Sequence, residues 1–248
     1  MKLKRYLFNE EKIYKKRYTA DDIKDDCSEV LSVYENVHRY LYRGIDVKTD
    51  LILKFNSELV NRRPKHTPRV IHDVLNDLFN DKFGWECRNG IYAGIDEQAD
   101  NYGTSYIIFP VDGFKIVYNK HIPDLYITLS NIFFNQYHIL NNTTLNVPND
   151  LKFKLKSMID NYDDEHDKEY KLDRLKTIFK NIMPSIKFDT IINMTIYDLL
   201  KLMVDSYVTS DLTTYLTRYH ENEVMINTSS YYACKGSIKN FAALNLLI

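Results

Sequence analysis

Glu221-Asn222-Glu223-Val224-Met225-Ile226, followed by Tyr231-Tyr232-Ala233, is the stretch that decides the fold. Here strand character returns after residues 122–206, where apolar residues repeat at helical spacing. Strands also stand before that block. Tyr40-Leu41-Tyr42-Arg43-Gly44-Ile45 is a short strand-like run with an arginine in its middle, and Gly90-Ile91-Tyr92-Ala93-Gly94 is another. Residues 105–111 and 114–119 alternate or run apolar around Asp112-Gly113, which predicts a hairpin. With strands on both sides of a helical block sharing sheets, the sequence predicts one α+β domain over residues 1–248. The helical block is an insertion at about residues 122–206.

The helices around these strands carry their own punctuation. Thr19 is a natural N-cap, and Asp21 and Asp22 complement the dipole of the first turn. Ile23, Cys27, Val30, Leu31 and Tyr34 then fall along one helical face. A helix is expected over about residues 48–60, leading to the loop Arg62-Arg63-Pro64-Lys65-His66-Thr67-Pro68. Thr67 caps the next helix, whose buried stripe is Val70, Ile71, Val74, Leu75, Leu78 and Phe79, and Gly84 ends it. Inside the insertion, Leu155, Met158 and Ile159 mark one helix, and Leu172, Leu175, Ile178 and Phe179 another. The acidic run between them, residues 163–169, reads as a solvated loop or helix start, since no glycine-turn calcium spacing accompanies it.

Composition narrows the function classes. The chain has 248 residues, 44% hydrophobic and 27% charged, which excludes intrinsic disorder. A chain of this size buries roughly 70–75% of its unfolded surface, so its core needs neither disulfides nor a structural metal. Lys+Arg at 33 against Asp+Glu at 34 argue against attachment to nucleic acid by global charge, leaving a local basic patch open. Twenty Tyr and twelve Phe predict a core and a site surface rich in phenol and phenyl rings. Cys27, Cys87 and Cys234 are scattered, with no zinc or disulfide spacing, which suggests a reducing cytosol. The basic N-terminus lacks the apolar run of about 7–15 residues that a secretory signal needs, and no stretch reaches the length of a membrane span. A soluble, cytosolic protein with no membrane partner is expected.

No Gly-rich phosphate loop, H-E-x-x-H, G-x-S-x-G or Cys–His zinc spacing is found. The histidines are dispersed, and His72 reads as a helix-face residue. Catalysis would therefore fall to an arginine, carboxylates and hydroxyls. Three segments hold such groups in order. Tyr42-Arg43-Gly44 places a cation in a strand beside a residue that allows close approach to the backbone. Gly90-Ile91-Tyr92-Ala93 leads through a polar helical turn to Ala99-Asp100-Asn101-Tyr102. Glu221 and Glu223, two residues apart at a strand start, would share one face.

With these segments in this order, the sequence resembles the ADP-ribosyltransferase superfamily over roughly residues 20–126 and 205–235. It looks most like the phage-encoded branch, in which an R-P-x-x-T-P loop, here residues 63–68, lies between the first two motifs. The resemblance implies two packed, mainly antiparallel sheets with flanking helices. It implies a mono-ADP-ribosyltransferase that takes NAD as substrate, needs no metal, and modifies a host macromolecule in a bacterial cytosol as a phage effector. By position, Glu223 would be the catalytic glutamate, Glu221 its companion toward the acceptor, and Arg43 the strand arginine that holds NAD. Gly44, Tyr92, Ala93, Tyr102, Arg63 and Thr67 would complete the NAD-binding surface. A turn-rich loop over about residues 207–220, with Tyr215 and Tyr219 exposed, would recognise the acceptor, a host protein arginine. Arginine-type members carry Ser-Thr-Ser where this chain has Tyr92-Ala93-Gly94, so Thr104 or Ser105 substitutes or the site is a hybrid. The alternatives are an NAD glycohydrolase and a catalytically inactive transferase-like binding protein.

Overall fold

Tyr42–Ile45 (β1) and Leu53–Asn56 (β2) are joined into one sheet by Thr104–Pro110 (β4) and Ser230–Cys234 (β8), in the order β1-β4-β8-β2. Every adjacent pair in it is antiparallel, with Arg43 opposite Tyr106, Phe109 opposite Tyr232 and Lys54 opposite Tyr232. The computed structural model describes residues 18–47, 49, 52–57, 67, 69–95, 99–125, 128–129, 180 and 196–235. The basic arm, Arg63, the acidic run at 163–169 and the two helices marked by Leu155 and Leu172 lie outside the described residues.

The chain divides into two compact units. The first comprises Met1–Arg62, Glu86–Tyr118 and Thr209–Ile248; the second comprises Arg63–Trp85 and Asn119–Val208. The first unit is the mixed α+β part. Besides the sheet above, it holds Ile91–Ala93 (β3), the greater part of Lys115–Asn119 (β5) and Val224–Asn227 (β7) in a second antiparallel arrangement. There β7 runs between the other two, so that Met225 lies between Tyr92 and Val117. Among the described residues no helix is long and apolar enough to cross a membrane.

The helical face read from Thr19 onward is correct in its buried residues but breaks in two. Ala20–Asp26 (α1) opens with Thr19 and Asp22 capping each other, and Ser28–Val37 (α2) follows after Cys27, at φ −132° and ψ 35°. The carboxylate of Asp112 restarts the helix. It accepts from the Ser28 amide at 3.1 Å, the Ser28 hydroxyl at 2.5 Å and the Glu29 amide at 2.9 Å, satisfying donors that α2 cannot pair itself.

This role of Asp112 also overturns the hairpin expected at Asp112-Gly113. The turn forms, with Gly113 at φ 82°, but β4 pairs with β1 and β8, whereas β5 pairs with β7. It carries the chain from one sheet to the other. The helix expected over residues 48–60 is also corrected: Leu53-Lys54-Phe55-Asn56 is strand β2, with Leu53 and Phe55 buried on one face.

The core of the first unit is phenolic, and its hydroxyls have partners. Tyr34 donates to the Ile108 carbonyl at 2.7 Å and accepts from the Leu41 amide at 3.1 Å. Tyr106 donates toward the Val47 and Thr49 carbonyls at 2.8 and 3.0 Å. A buried phenol demands such bonds, and they fix strand ends to helices as packing alone would not. In the second unit Arg69–Phe83 (α3) packs on Ile196–Asp205 (α4), and Tyr207–Val208 (β6) follows α4. Lys82 closes the α4 C-terminus, donating to the carbonyls of Val204, Asp205 and Tyr207 at 3.1, 2.6 and 2.7 Å.

Candidate functional site

The site grows from the place where the two sheets of the first unit meet. Tyr42, at the start of β1, exchanges backbone hydrogen bonds with Gly94, just past β3, at 2.9 and 3.0 Å. This bridge brings the edge strand of one sheet against the edge strand of the other. Arg43, next along β1, is half-buried and donates from Nη1 to the Tyr92 carbonyl at 2.9 Å. The Tyr231 ring centre lies 6.0 Å from its guanidinium carbon. Sequence reasoning paired Arg43 with Tyr92 only by order along the chain. The structure joins them directly.

Glu223 approaches the same junction from the other side of β3. Ala93 pairs with Val224 at the end of that ladder, and Glu223 is the residue just before Val224. Glu223 is half-buried, and its charge together with burial raises the Tyr215 phenol well above its ordinary pKa, burial being the larger cause.

Glu221 departs from expectation. It lies in a turn, with the Asn222 amide donating to the Tyr219 carbonyl at 2.9 Å, and β7 begins only at Val224. The period-two argument for a shared face therefore does not apply to it. Glu221 is exposed, whereas Glu223 is half-buried.

Gly44 is needed by the chain itself. A Cβ there would overlap the Ala99 carbonyl oxygen and stand 2.8 Å from the Tyr102 carbonyl carbon. Gly103, at φ 151°, meets Ile45 in the same way. The space expected to admit a ligand is thus filled by the turn Asp100–Tyr102. That packing holds Tyr102 beside β1 and leaves it 64% exposed. Ala93 is buried within β3 and supplies packing rather than a binding surface. Thr104 and Ser105 open β4 opposite Ile45 and Gly44.

The expected acceptor loop is corrected. Residues 207–220 contain β6 and Leu212–Arg218 (α5). Asp211 starts α5, its carboxylate accepting from the Thr214 amide and hydroxyl at 2.8 Å each, and these bonds hold its pKa down. Leu212, Tyr215 and Leu216 make the buried face. Tyr215 is fully buried rather than exposed, because it falls on the inner stripe of a helix that the turn-rich reading overlooked. Tyr219 is half-buried, its ring centre 5.3 Å from that of Tyr118.

Three residues at the site escaped the sequence reading. Arg88 is buried, its guanidinium carbon 5.7 Å from the Tyr92 ring centre, so one face of that ring meets a cation. Arg39 places Nη1 at 2.9 Å from the Leu216 carbonyl, 3.1 Å from the Thr217 carbonyl and 2.8 Å from His220 Nδ1. Both arginines stand in short connecting segments where the sequence offers no motif. His220 was hidden by its dispersal from other histidines.

Thr67 is buried and belongs to the second unit, whereas the residues that build this junction belong to the first. Among the described residues no cluster of three His, Cys, Asp or Glu side chains offers a metal site. Comparisons with protein-family models, with curated proteins and with solved structures found no match to this chain.

Proposed function

We propose that the protein is a mono-ADP-ribosyltransferase that cleaves NAD and transfers ADP-ribose to a host protein. One observation carries the reading: at the junction of the two sheets Arg43 bonds to the Tyr92 carbonyl, and Ala93 pairs with Val224, the residue that follows Glu223, so segments far apart in sequence meet there. Breaking the bond between nicotinamide and ribose passes through an oxocarbenium-like ribosyl cation, as glycoside hydrolysis does. A carboxylate fixed near the ribose gains interaction as that cation develops, an effect of about 3–4 kcal/mol for a preorganised group. Glu223 takes this role. Nicotinamide departs as a neutral base, so the step requires no general acid. Arg43, aimed by the Tyr92 carbonyl, holds the pyrophosphate or ribose oxygens, which a planar guanidinium fork suits better than an ammonium. Tyr102 offers an exposed ring beside the same strand.

Labelled NAD and a bacterial lysate test the proposal. Wild type should release nicotinamide and label protein, and Glu223→Ala should lower turnover by about 10²–10³ with its circular dichroism unchanged. Near-normal turnover in Glu223→Ala removes that residue from the chemistry. Nicotinamide release with no labelled protein converts the assignment to an NAD glycohydrolase, and no release leaves a binding protein.

A further inference from the structure

We propose that the Tyr215 hydroxyl is a positioning group, holding the turn that carries Glu221 and Glu223 in the geometry the reaction needs; this rests on the transferase reading above. The Tyr215 ring is buried on the inner face of α5, with its centre 5.1 Å from that of Tyr118. A phenylalanine would fill that space as well. The hydroxyl reaches from the core to the Asn222 carbonyl at 2.5 Å, and the His220 carbonyl lies 3.4 Å away. Asn222 is the residue between the two glutamates.

The helix that presents Tyr215 is itself fixed at both ends. Asp211 caps its start, and Arg39 binds the carbonyls of Leu216 and Thr217 at its end. Arg39 also meets the ring of His220, so residues 219–223 are tied at three places. These are the Asn222 amide on Tyr219, the Asn222 carbonyl on Tyr215, and the His220 ring on Arg39. A carboxylate that stabilises a developing cation must already stand in place, since reorganising it during the reaction would consume the gain. Burial and the nearby Glu223 charge keep the phenol protonated, so the hydroxyl remains a donor to the turn.

The test is Tyr215→Phe in the full chain, read by nicotinamide release and by amide hydrogen exchange. Loss of one buried hydrogen bond should lower kcat about tenfold and leave KM for NAD within about twofold. Exchange across residues 219–223 should quicken about tenfold, with the rest of β7 unchanged. If Tyr215→Phe does not fold, Arg39→Lys carries the same measurement, because it loosens the same turn from the other side. An unchanged kcat overturns the proposal, as does a kcat that falls only in step with the folded fraction. Should wild type release no nicotinamide, the transferase reading falls. Exchange then decides separately: quicker exchange in Tyr215→Phe leaves the tether standing without the catalysis, and unchanged exchange removes the tether too.

Discussion

His220 presents Nδ1 to a guanidinium, 2.8 Å from Arg39 Nη1. Burial and the Arg39 charge, in that order, hold its pKa below the ordinary 6.5, with Glu221 pulling the other way. In the unfolded chain the imidazole regains its ordinary affinity for a proton. Between the two values the unfolded chain therefore binds more protons, and stability rises with pH. The stabilising contribution is complete above 6.5 and is lost as the pH falls through the folded value. Thermal melts taken from about pH 7.5 down to about pH 5.5 should show a steeper fall in wild type than in His220→Gln. Equal slopes would place the acid sensitivity elsewhere. At this scale the sequence revealed which residue types could do chemistry, but not their surroundings. Tyr215 and Tyr219 look alike in the sequence, yet Tyr215 faces the core and Tyr219 is half-buried. What separates them is position along α5: Tyr215 lies within the helix on its buried face, whereas Tyr219 is the C-cap residue where the helix ends.

Among the elements, the packing of β1 against the turn Asp100–Tyr102 is the most exacting, because backbone meets backbone on both sides. Gly44→Ala forces atoms into the Ala99 carbonyl and should cost about 3 kcal/mol, as overpacking does. Gly113→Ala is the matched control. Its added Cβ meets nothing within 4 Å, and only the left-handed backbone at φ 82° opposes it, at about 1–2 kcal/mol. Urea denaturation should rank the two in that order, and the reverse ranking would refute the close approach. The strands on either side of the helical block, at Tyr42, Ile91, Val224 and Tyr231, were legible because short apolar runs bounded by turn residues leave few alternatives. Their partners were not. Asp112-Gly113 carries the local chemistry of a hairpin, but Asp112 is drawn to the open donors of Ser28 and Glu29, and β4 and β5 pair with strands distant in sequence. Residues 48–60 were misread as a helix because Leu53 and Phe55 alternate for too short a span to outweigh the surrounding helix formers.

For the molecule as a whole, charge and exposure together define what the site can receive. With 33 basic and 34 acidic residues, the chain has no overall attraction for a polyanion, so a nucleic acid would have to be held by local contacts alone. The two carboxylates of the Glu221-Asn222-Glu223 segment are unequal. Glu223 is half-buried beside the junction of the sheets, while Glu221 is exposed in the turn before it. We expect the sheltered carboxylate to meet the ribose and the exposed one to meet the acceptor, since an incoming side chain must arrive from solvent. An anionic partner suits a guanidinium acceptor, because it can pair with the fork, orient it and draw off a proton as the new bond forms. Glu221→Gln keeps the shape and a hydrogen-bonding oxygen but loses the charge. It should abolish transfer to protein while slow hydrolysis of NAD continues, and mass spectrometry of wild-type product should find ADP-ribose on arginine. Transfer at the wild-type rate in Glu221→Gln would remove that residue from acceptor activation. Label on serine, glutamate or nucleic acid would overturn the arginine assignment while leaving the role of Glu223 to its own test.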